Sequence, residues 1–501
     1  MELKTAIAKL YTSEAQRLQQ VGKPQDAVAL YRQAITIEPD NYLHYYDLGL
    51  LMVQLKELDT VRELFERAIA LKPNCAKIHY QLGNISLEQK QYAAGIESYR
   101  QAVAIEPKCD RFYYALGEAL FKNSQLQESE VHFTKAVTLN EQNFWAYYYL
   151  GLIKRQQNQP QEAIAYFQKV ITLDPQNEPG YWALQYTAVP DDAVTGLIDF
   201  YQRIIAQHPE VYLAWGNLGD LLSQQGQIPA AICCYQTSCY HQVTTRSPHL
   251  LHLNWHTKKE QPPDFIIVGA SKCGTSSLFQ YLNYHPQILL PHKKELNFFT
   301  PQNLDRGLAW YYSQFPAITD YEGLLTGEAS PAYFNNPYAR DNISQLPKPV
   351  KIIILLRNPV ERVISWYYHN IKCGQEHRPL LEVITTEITK VQTTPPERID
   401  YSCDYVADSI YLNKIKKWLE IISEPNILII QTETLAVQPE ATMKQVFDFL
   451  DLPYYSVIEY FRHNQGFYQS ENHHQIVATL AEFFAPYNQQ LETLLGRKFN
   501  W

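Results

Sequence analysis

Apolar positions in the first half of the chain recur every 34 residues. An aromatic stands at Tyr31, Phe65, Tyr99, Phe133, Phe167, Tyr201 and Tyr235. Glycine keeps the same step at Gly49, Gly83, Gly117, Gly151 and Gly219. Alanine follows the aromatic by three residues at Ala34, Ala68, Ala102 and Ala136, and proline follows it by eight at Pro39, Pro73, Pro107, Pro175 and Pro209. Within the unit 42–75, Tyr45, Leu48, Gly49 and Met52 form one set of positions three and four apart, and Val61, Leu64, Phe65 and Ala68 form a second. That spacing puts each set on one helical face, so every unit predicts two amphipathic helices. The small residues permit close helix contact, and the proline ends the second helix because it has no amide hydrogen. Such a pair buries its apolar face only by stacking on its neighbours.

The period, the helix pairing and the places of the small residues and proline resemble the tetratricopeptide repeat over about residues 8–245. The resemblance implies an array of about seven units with a groove for peptides or partner proteins. Two units depart from the pattern. In one, Gln185 replaces the glycine and Pro190 interrupts the turn; in the other, Glu141 stands where proline is expected. The recurring aromatics read as inter-repeat core. The run Tyr147-Tyr148-Tyr149 reads equally well as groove lining or as packing.

After Tyr240 the repeat decays through Thr244-Thr245-Arg246-Ser247-Pro248, and Gln261-Pro262-Pro263 marks an extended boundary. The rhythm then changes. Short apolar runs at 265–268, 351–356 and 427–430 predict buried strands, and helical patterns at 275–284, 360–370, 412–422 and 441–450 separate them. Buried strands alternating with helices predict an α/β domain around a central parallel sheet. The expected architecture is therefore multidomain: an all-α solenoid at 1–245, a linker at 246–262, and a P-loop-like α/β domain at 263–501.

Composition narrows the function. A chain of 501 residues exceeds one ordinary core, and 46% hydrophobic residues exclude a mostly disordered protein. The net charge of −9 excludes a general nucleic-acid binder, while 43 Lys and Arg residues suffice for a local anion pocket. Met1-Glu2-Leu3-Lys4 leads into polar sequence without the apolar core of a signal peptide, and no stretch reaches the roughly 18 apolar residues of a membrane span. Eight cysteines show no metal-ligand spacing, and no histidine pair accompanies Cys233, Cys234 and Cys239. Reduced thiols, a cytoplasmic location and no metal are expected.

Two segments carry candidate chemistry. The first strand runs into Gly269-Ala270-Ser271-Lys272-Cys273-Gly274-Thr275-Ser276-Ser277. A glycine-bounded loop between strand and helix lets backbone amides converge on an anion at the positive end of the helix dipole. The alternative is a tight turn with an exposed lysine. The loop fails the Walker A pattern, since Thr275 stands where that motif needs lysine. The later strand also ends in Arg357 rather than an acid for Mg²⁺, which disfavours an NTPase. Arg357 supplies a planar fork of donors and Ser365, two turns along the next helix, a hydroxyl; together they suit a phosphate monoester. Arg362 is read as a solvent-facing helix residue. An ordinary capped helix with surface arginines is the alternative for the whole segment.

Together the two segments resemble the sulfotransferases that use 3′-phosphoadenosine-5′-phosphosulfate (PAPS), of the heparan sulfate type. The match extends to Lys294-Glu295-Leu296-Asn297-Phe298-Phe299, Ser330-Pro331-Ala332-Tyr333-Phe334, Asn464-Gln465-Gly466-Phe467-Tyr468 and Phe499-Asn500-Trp501, and so covers about residues 263–501. It implies that Lys272, Cys273, Gly274, Thr275, Ser276 and Ser277 grip the 5′-phosphosulfate, that Arg357 and Ser365 bind the 3′-phosphate, and that Phe467 and Tyr468 stack on adenine. It further implies that Lys272 neutralises the leaving phosphate oxygen and that Glu295 takes the acceptor proton. Partial burial would raise the Glu295 pKa usefully; the bland alternative is a surface partner of Lys293 or Lys294. His292 and His369 are further candidate bases, each read as exposed. The chain also departs from these relatives. Ala329 and Gln465 replace basic residues, and no Lys or Arg occurs between Arg462 and Arg497, where His473 and His474 are partial substitutes. The acceptor class therefore stays open among polysaccharide, protein and small molecule, and a repeat scaffold with a degenerate nucleotide pocket remains the second reading.

Overall fold

The computed structural model describes residues 2–253, 255, 261–318, 323–372, 375–395, 398–400, 404–457, 460 and 473–501. The chain forms two compact units, Met1–Pro190 and Asp191–Trp501.

In the first unit, helix pairs follow the 34-residue step, for example Tyr42–Gln54 with Leu58–Leu71 and Ala76–Glu88 with Tyr92–Ile105. Asparagine caps several first helices: the Asn143 side chain accepts from Ala146 N at 3.1 Å and that of Asn177 from Gly180 N at 3.0 Å. The periodic glycine and aromatic prove to be a contact pair. A Cβ on Gly49, Gly83 or Gly151 would lie 2.4–2.5 Å from the ring of Phe65, Tyr99 or Phe167. No larger residue fits, so glycine there sets the helix spacing. Tyr149 stacks on Phe133 at 4.9 Å and Tyr148 lies 6.0 Å from Phe167, which makes both packing residues.

Of the two units that depart from the pattern, one keeps the regular helix length and one does not. The helix before Glu141 still ends at Leu139, because the Asn140 side chain accepts from Gln142 N at 3.0 Å and turns the chain without proline. The helix that carries Gln185 is cut to eight residues, Glu178–Gln185.

The second unit opens with helices Asp191–Gln207, Tyr212–Gln224 and Ile228–Arg246, and continues into the α/β region. Among the described residues its five strands are β1 (Phe265–Gly269), β2 (Ile288–Leu289), β3 (Leu325–Ala329), β4 (Lys351–Leu356) and β5 (Ile427–Gln431). They pair in the order β2-β3-β1-β4-β5, all parallel. β1 and β4 are buried almost throughout, which explains their unbroken apolar sequence. The chain's crossovers change direction between β1 and β4, the place where open α/β sheets hold their ligands, outside the carboxyl ends of the strands. The predicted helices are present as Thr275–Leu282, Pro359–Lys372, Leu412–Ile421 and Pro439–Phe449.

The sequence reading missed β2 and β3. β2 has two residues, and β3 reads Leu-Thr-Gly-Glu-Ala, which no apolar run announces. Gly327 is required there because the Phe265 ring of β1 would lie 2.2 Å from a Cβ. Among the described residues, no helix is long and apolar enough to cross a membrane.

Candidate active site

The candidate loop leaves β1 stitched to β4, with Ala270 N donating to the Leu355 carbonyl at 2.8 Å. Lys272 and Gly274 then take left-handed backbone angles, φ 66° and 85°, and the helix starts at Thr275. Thr432, just beyond β5, donates its hydroxyl to the carbonyls of Cys273 at 2.6 Å and Leu356 at 3.0 Å, tying the loop to the end of β4. Thr275 and Ser277 are buried and Ser276 is half-buried. Cys273 turns its polar groups inward. Its amide donates to Ala270 O at 3.3 Å, and its sulfur lies 3.7 Å from the Tyr411 hydroxyl. Burial pushes the Cys273 thiol pKa up.

Arg357 follows the carboxyl end of β4. Its Nη1 donates to the Lys272 carbonyl at 3.5 Å, and its Nη2 meets Glu361 at 3.2 Å. Tyr411 holds the Arg357 carbonyl at 2.9 Å. The pairing of β1 with β4 thus brings together Lys272 and Arg357, which are 85 residues apart in sequence. Ser365 lies buried on the following helix.

Arg362 overturns its expected exposure. It is fully buried, donating from Nε to the Ser271 carbonyl at 2.8 Å, from Nη1 to Ser409 Oγ at 2.8 Å and from Nη2 to Asp408 Oδ2 at 2.6 Å. Lys414 and Asn335 also reach Asp408. Burial pushes the Asp408 carboxyl up, but the charges of Arg362 and Lys414 outweigh it and hold its pKa below the usual range. Burial brings the Lys414 ammonium down to about 8. The misreading has a plain cause: arginine on a helix looks solvent-facing unless its carboxylate partner, here 46 residues away, is known.

The Glu295 segment is tied to the end of β3. Glu295 N donates to Ala329 O at 2.9 Å, Asn297 N to Ser330 Oγ at 3.1 Å and Phe299 N to Tyr333 Oη at 3.3 Å. Glu295 itself is exposed, its side chain 46% accessible, and it pairs with Lys294 at 2.5 Å, the surface contact named as the alternative for it. Behind it lies a carboxyl the sequence reading missed. Glu328 is fully buried and accepts from Ser330 Oγ at 2.5 Å, Tyr311 Oη at 2.7 Å and Tyr333 Oη at 3.3 Å. Burial pushes its pKa up to about 7 against those hydrogen bonds. Its signal was a lone glutamate directly before Ala329-Ser330-Pro331, legible only once that stretch is known to be a strand.

The remaining candidates separate. His369 is exposed, as expected, whereas His292 is buried, which corrects its expected exposure. Ala329 is buried in β3. His473 and His474 open the helix His473–Leu495. Gln465, Phe467 and Tyr468 lie outside the described residues.

Known proteins share both halves. A sulfotransferase-domain family model matches residues 262–479, and tetratricopeptide-repeat models match residues 18–85, 83–124, 110–143 and 144–177. The chain is 26% identical over 301 residues to heparan sulfate glucosamine 3-O-sulfotransferase 5 of Mus musculus, covering 55% of this chain and 85% of that protein. It is 29% identical over 217 residues to bifunctional heparan sulfate N-deacetylase/N-sulfotransferase 1 of Caenorhabditis elegans, covering 42% of this chain but only 25% of that protein. Among solved structures, a sulfotransferase from Alicyclobacillus acidocaldarius is 28% identical, with a TM-score of 0.39, and covers 48% of this chain and 97% of that one. The chain joins tetratricopeptide repeats to a sulfotransferase domain.

Proposed function

We propose that this protein transfers a sulfuryl group from PAPS to a hydroxyl or amine acceptor. The observation that carries the reading is the approach of Arg357 to the Lys272 carbonyl at 3.5 Å, which sets two cationic segments side by side at the ends of paired strands. A nucleotide phosphorylated at both ends needs two such poles in one crevice, and the donor set fits it: Lys272 and the hydroxyls of Thr275, Ser276 and Ser277 on one side, Arg357 and Ser365 on the other. When bound, PAPS supplies an activated sulfuryl group on a phosphate leaving group. Lys272 neutralises charge on the departing phosphate oxygen, and Glu295 accepts the proton of the acceptor. Phe467 and Tyr468 belong to this reading as the adenine platform, and Cys273 contributes as a member of the loop.

The names of the relatives point to a glucosamine-bearing saccharide as one acceptor class. The loss of basic residues, with Gln465 in place of one and no Lys or Arg between Arg462 and Arg497, supports a less anionic acceptor, and a protein or small molecule stays within the proposal. We further propose residues 1–245 as an array that recruits the acceptor or a partner protein, 246–262 as connector and 263–501 as the transferase domain. Free thiols at Cys234, Cys239 and Cys273, all buried, support a reducing, cytoplasmic setting.

Calorimetry with PAPS and with ATP tests the reading. PAPS is expected to bind the wild-type chain and to lose that binding in Lys272→Ala. Glu295→Gln is expected to keep PAPS binding and lose transfer. Binding of neither nucleotide overturns the proposal and leaves the scaffold alternative. A labelled-sulfate screen over lysate fractions identifies the acceptor.

A further inference from the structure

The final helix pair of the repeat series, Tyr212–Gln224 and Ile228–Arg246, departs at one position from the five units before it. Three residues before the periodic glycine stands Tyr46, Tyr80, Tyr114 or Tyr148, and Trp182 holds the same place in the shortened unit, while the first unit has Thr12. In the four regular units that ring lies 5.8–6.0 Å from the periodic aromatic of the same unit, in the pairs Tyr46–Phe65, Tyr80–Tyr99, Tyr114–Phe133 and Tyr148–Phe167. The equivalent residue in the last unit is Gly216.

The vacated volume holds a ring from the α/β region. His292 stacks on Tyr235 at 5.7 Å, and a Cβ on Gly216 would lie 2.4 Å from its imidazole carbon. Lys293, the next residue, pairs with Asp220, one turn beyond Gly216 on the same helix. Asp220 also accepts from Tyr235 Oη at 2.7 Å. Trp310 donates its indole N–H to Ser223 Oγ at 2.7 Å and stacks on Phe298 at 6.0 Å. One face of the helix Tyr212–Gln224 therefore holds one end of the segment that carries Lys294 and Glu295 directly, through His292 and Lys293, and the other end through Trp310.

We infer that the last repeat unit is a built-in wall of the transferase site, in which Gly216 and Asp220 are positioning residues that seat His292 and Lys293 and so fix the segment bearing Glu295. The inference rests on the transferase reading given above. Its physical basis is that Glu295, exposed and at a left-handed backbone angle of φ 67°, holds a constant place only if its neighbours are anchored. The buried ring supplies the shape of the anchor and the Asp220–Lys293 pair its register.

The test is hydrogen exchange by mass spectrometry on the full chain, with PAPS affinity and turnover measured alongside. Gly216→Tyr restores the aromatic of the other units and evicts His292. Amides in 290–299 are expected to exchange at least tenfold faster and kcat to fall at least tenfold, while 271–282 and the Kd for PAPS change less than twofold. Asp220→Asn, which keeps the shape of the helix, is expected to show the same pattern more weakly. Gly216→Tyr combined with His292→Gly, which refills the slot from the other side, is expected to recover part of the exchange protection. Unchanged exchange in 290–299 overturns the inference, as does faster exchange with kcat intact. Wild-type chain that binds no PAPS overturns the transferase reading instead, and the calorimetry reports that separately.

Discussion

Arg362 Nε donates to the Ser271 carbonyl at 2.8 Å, so a fully buried guanidinium on one helix braces the loop proposed to hold the 5′ end of a nucleotide. The same fork spends its other donors on Asp408 and Ser409, which makes the loop's shape depend on an ion-pair network inside the domain. Without Arg362, Asp408 keeps Lys414 as its partner, but the Ser271 carbonyl and Ser409 Oγ lose their buried donor. Arg362→Met is expected to destabilise the second unit by about 1–3 kcal/mol in denaturant unfolding. Arg362→Lys keeps the charge but lacks the planar fork, and is expected to weaken PAPS at least tenfold with a smaller stability loss. Wild-type affinity in Arg362→Lys would remove the brace from the site.

Arg357 is held by Glu361 at 3.2 Å in a pair that is partly exposed. An anion must draw the guanidinium away from that carboxylate. Arg357→Ala is expected to weaken PAPS by about ten- to a hundredfold, the range of one charged hydrogen-bonded contact. Glu361→Gln is expected to tighten it about twofold. Titration calorimetry at two salt concentrations checks both, and the Glu361→Gln gain should shrink at high salt.

Glu328 makes stability depend on pH in a definite direction. Burial raises its folded-state pKa to about 7 from an ordinary value of 4.5. Below pH 4.5 the carboxyl is protonated in both states and costs nothing. As pH rises from 4.5 to 7 the unfolded chain releases the proton and the folded one keeps it, so stability falls across that window and then levels off. The full cost is about 3 kcal/mol, and Glu328→Gln is expected to recover much of it at pH 8 while changing little at pH 4.5. Urea unfolding at the two pH values gives the comparison, and equal effects at both would exclude the linkage.

The repeat glycines make a steric prediction. Gly151→Ala drives a methyl to 2.4 Å from the Phe167 ring and is expected to cost about 1–3 kcal/mol. Gly196, inside the helix Asp191–Gln207, has open space around it, and Gly196→Ala is expected to stabilise by about 0.5–1 kcal/mol. Urea midpoints of the two variants should move in opposite directions.

Local pattern carried much of this protein. The 34-residue period, the two helices per unit, the three long apolar strands and both cationic segments were legible because each depends on neighbours a few residues away, through helical or strand periodicity and turn chemistry. β3 was not legible, since its glycine answers to Phe265 of another strand and its glutamate to three hydroxyls. Arg362 and His292 failed for the same reason: a polar side chain reads as exposed until its distant partner is known.

By itself, then, the sequence determined the order of the helices, the main strands and the chemical kinds of residue available. Only the tertiary structure decided that Arg357 meets the Lys272 carbonyl, that Asp408 neutralises a buried arginine, and that His292 fills the gap at Gly216. Periodicity is written in adjacent residues, whereas charge compensation and shape complementarity join positions between 46 and 85 residues apart that meet only after folding.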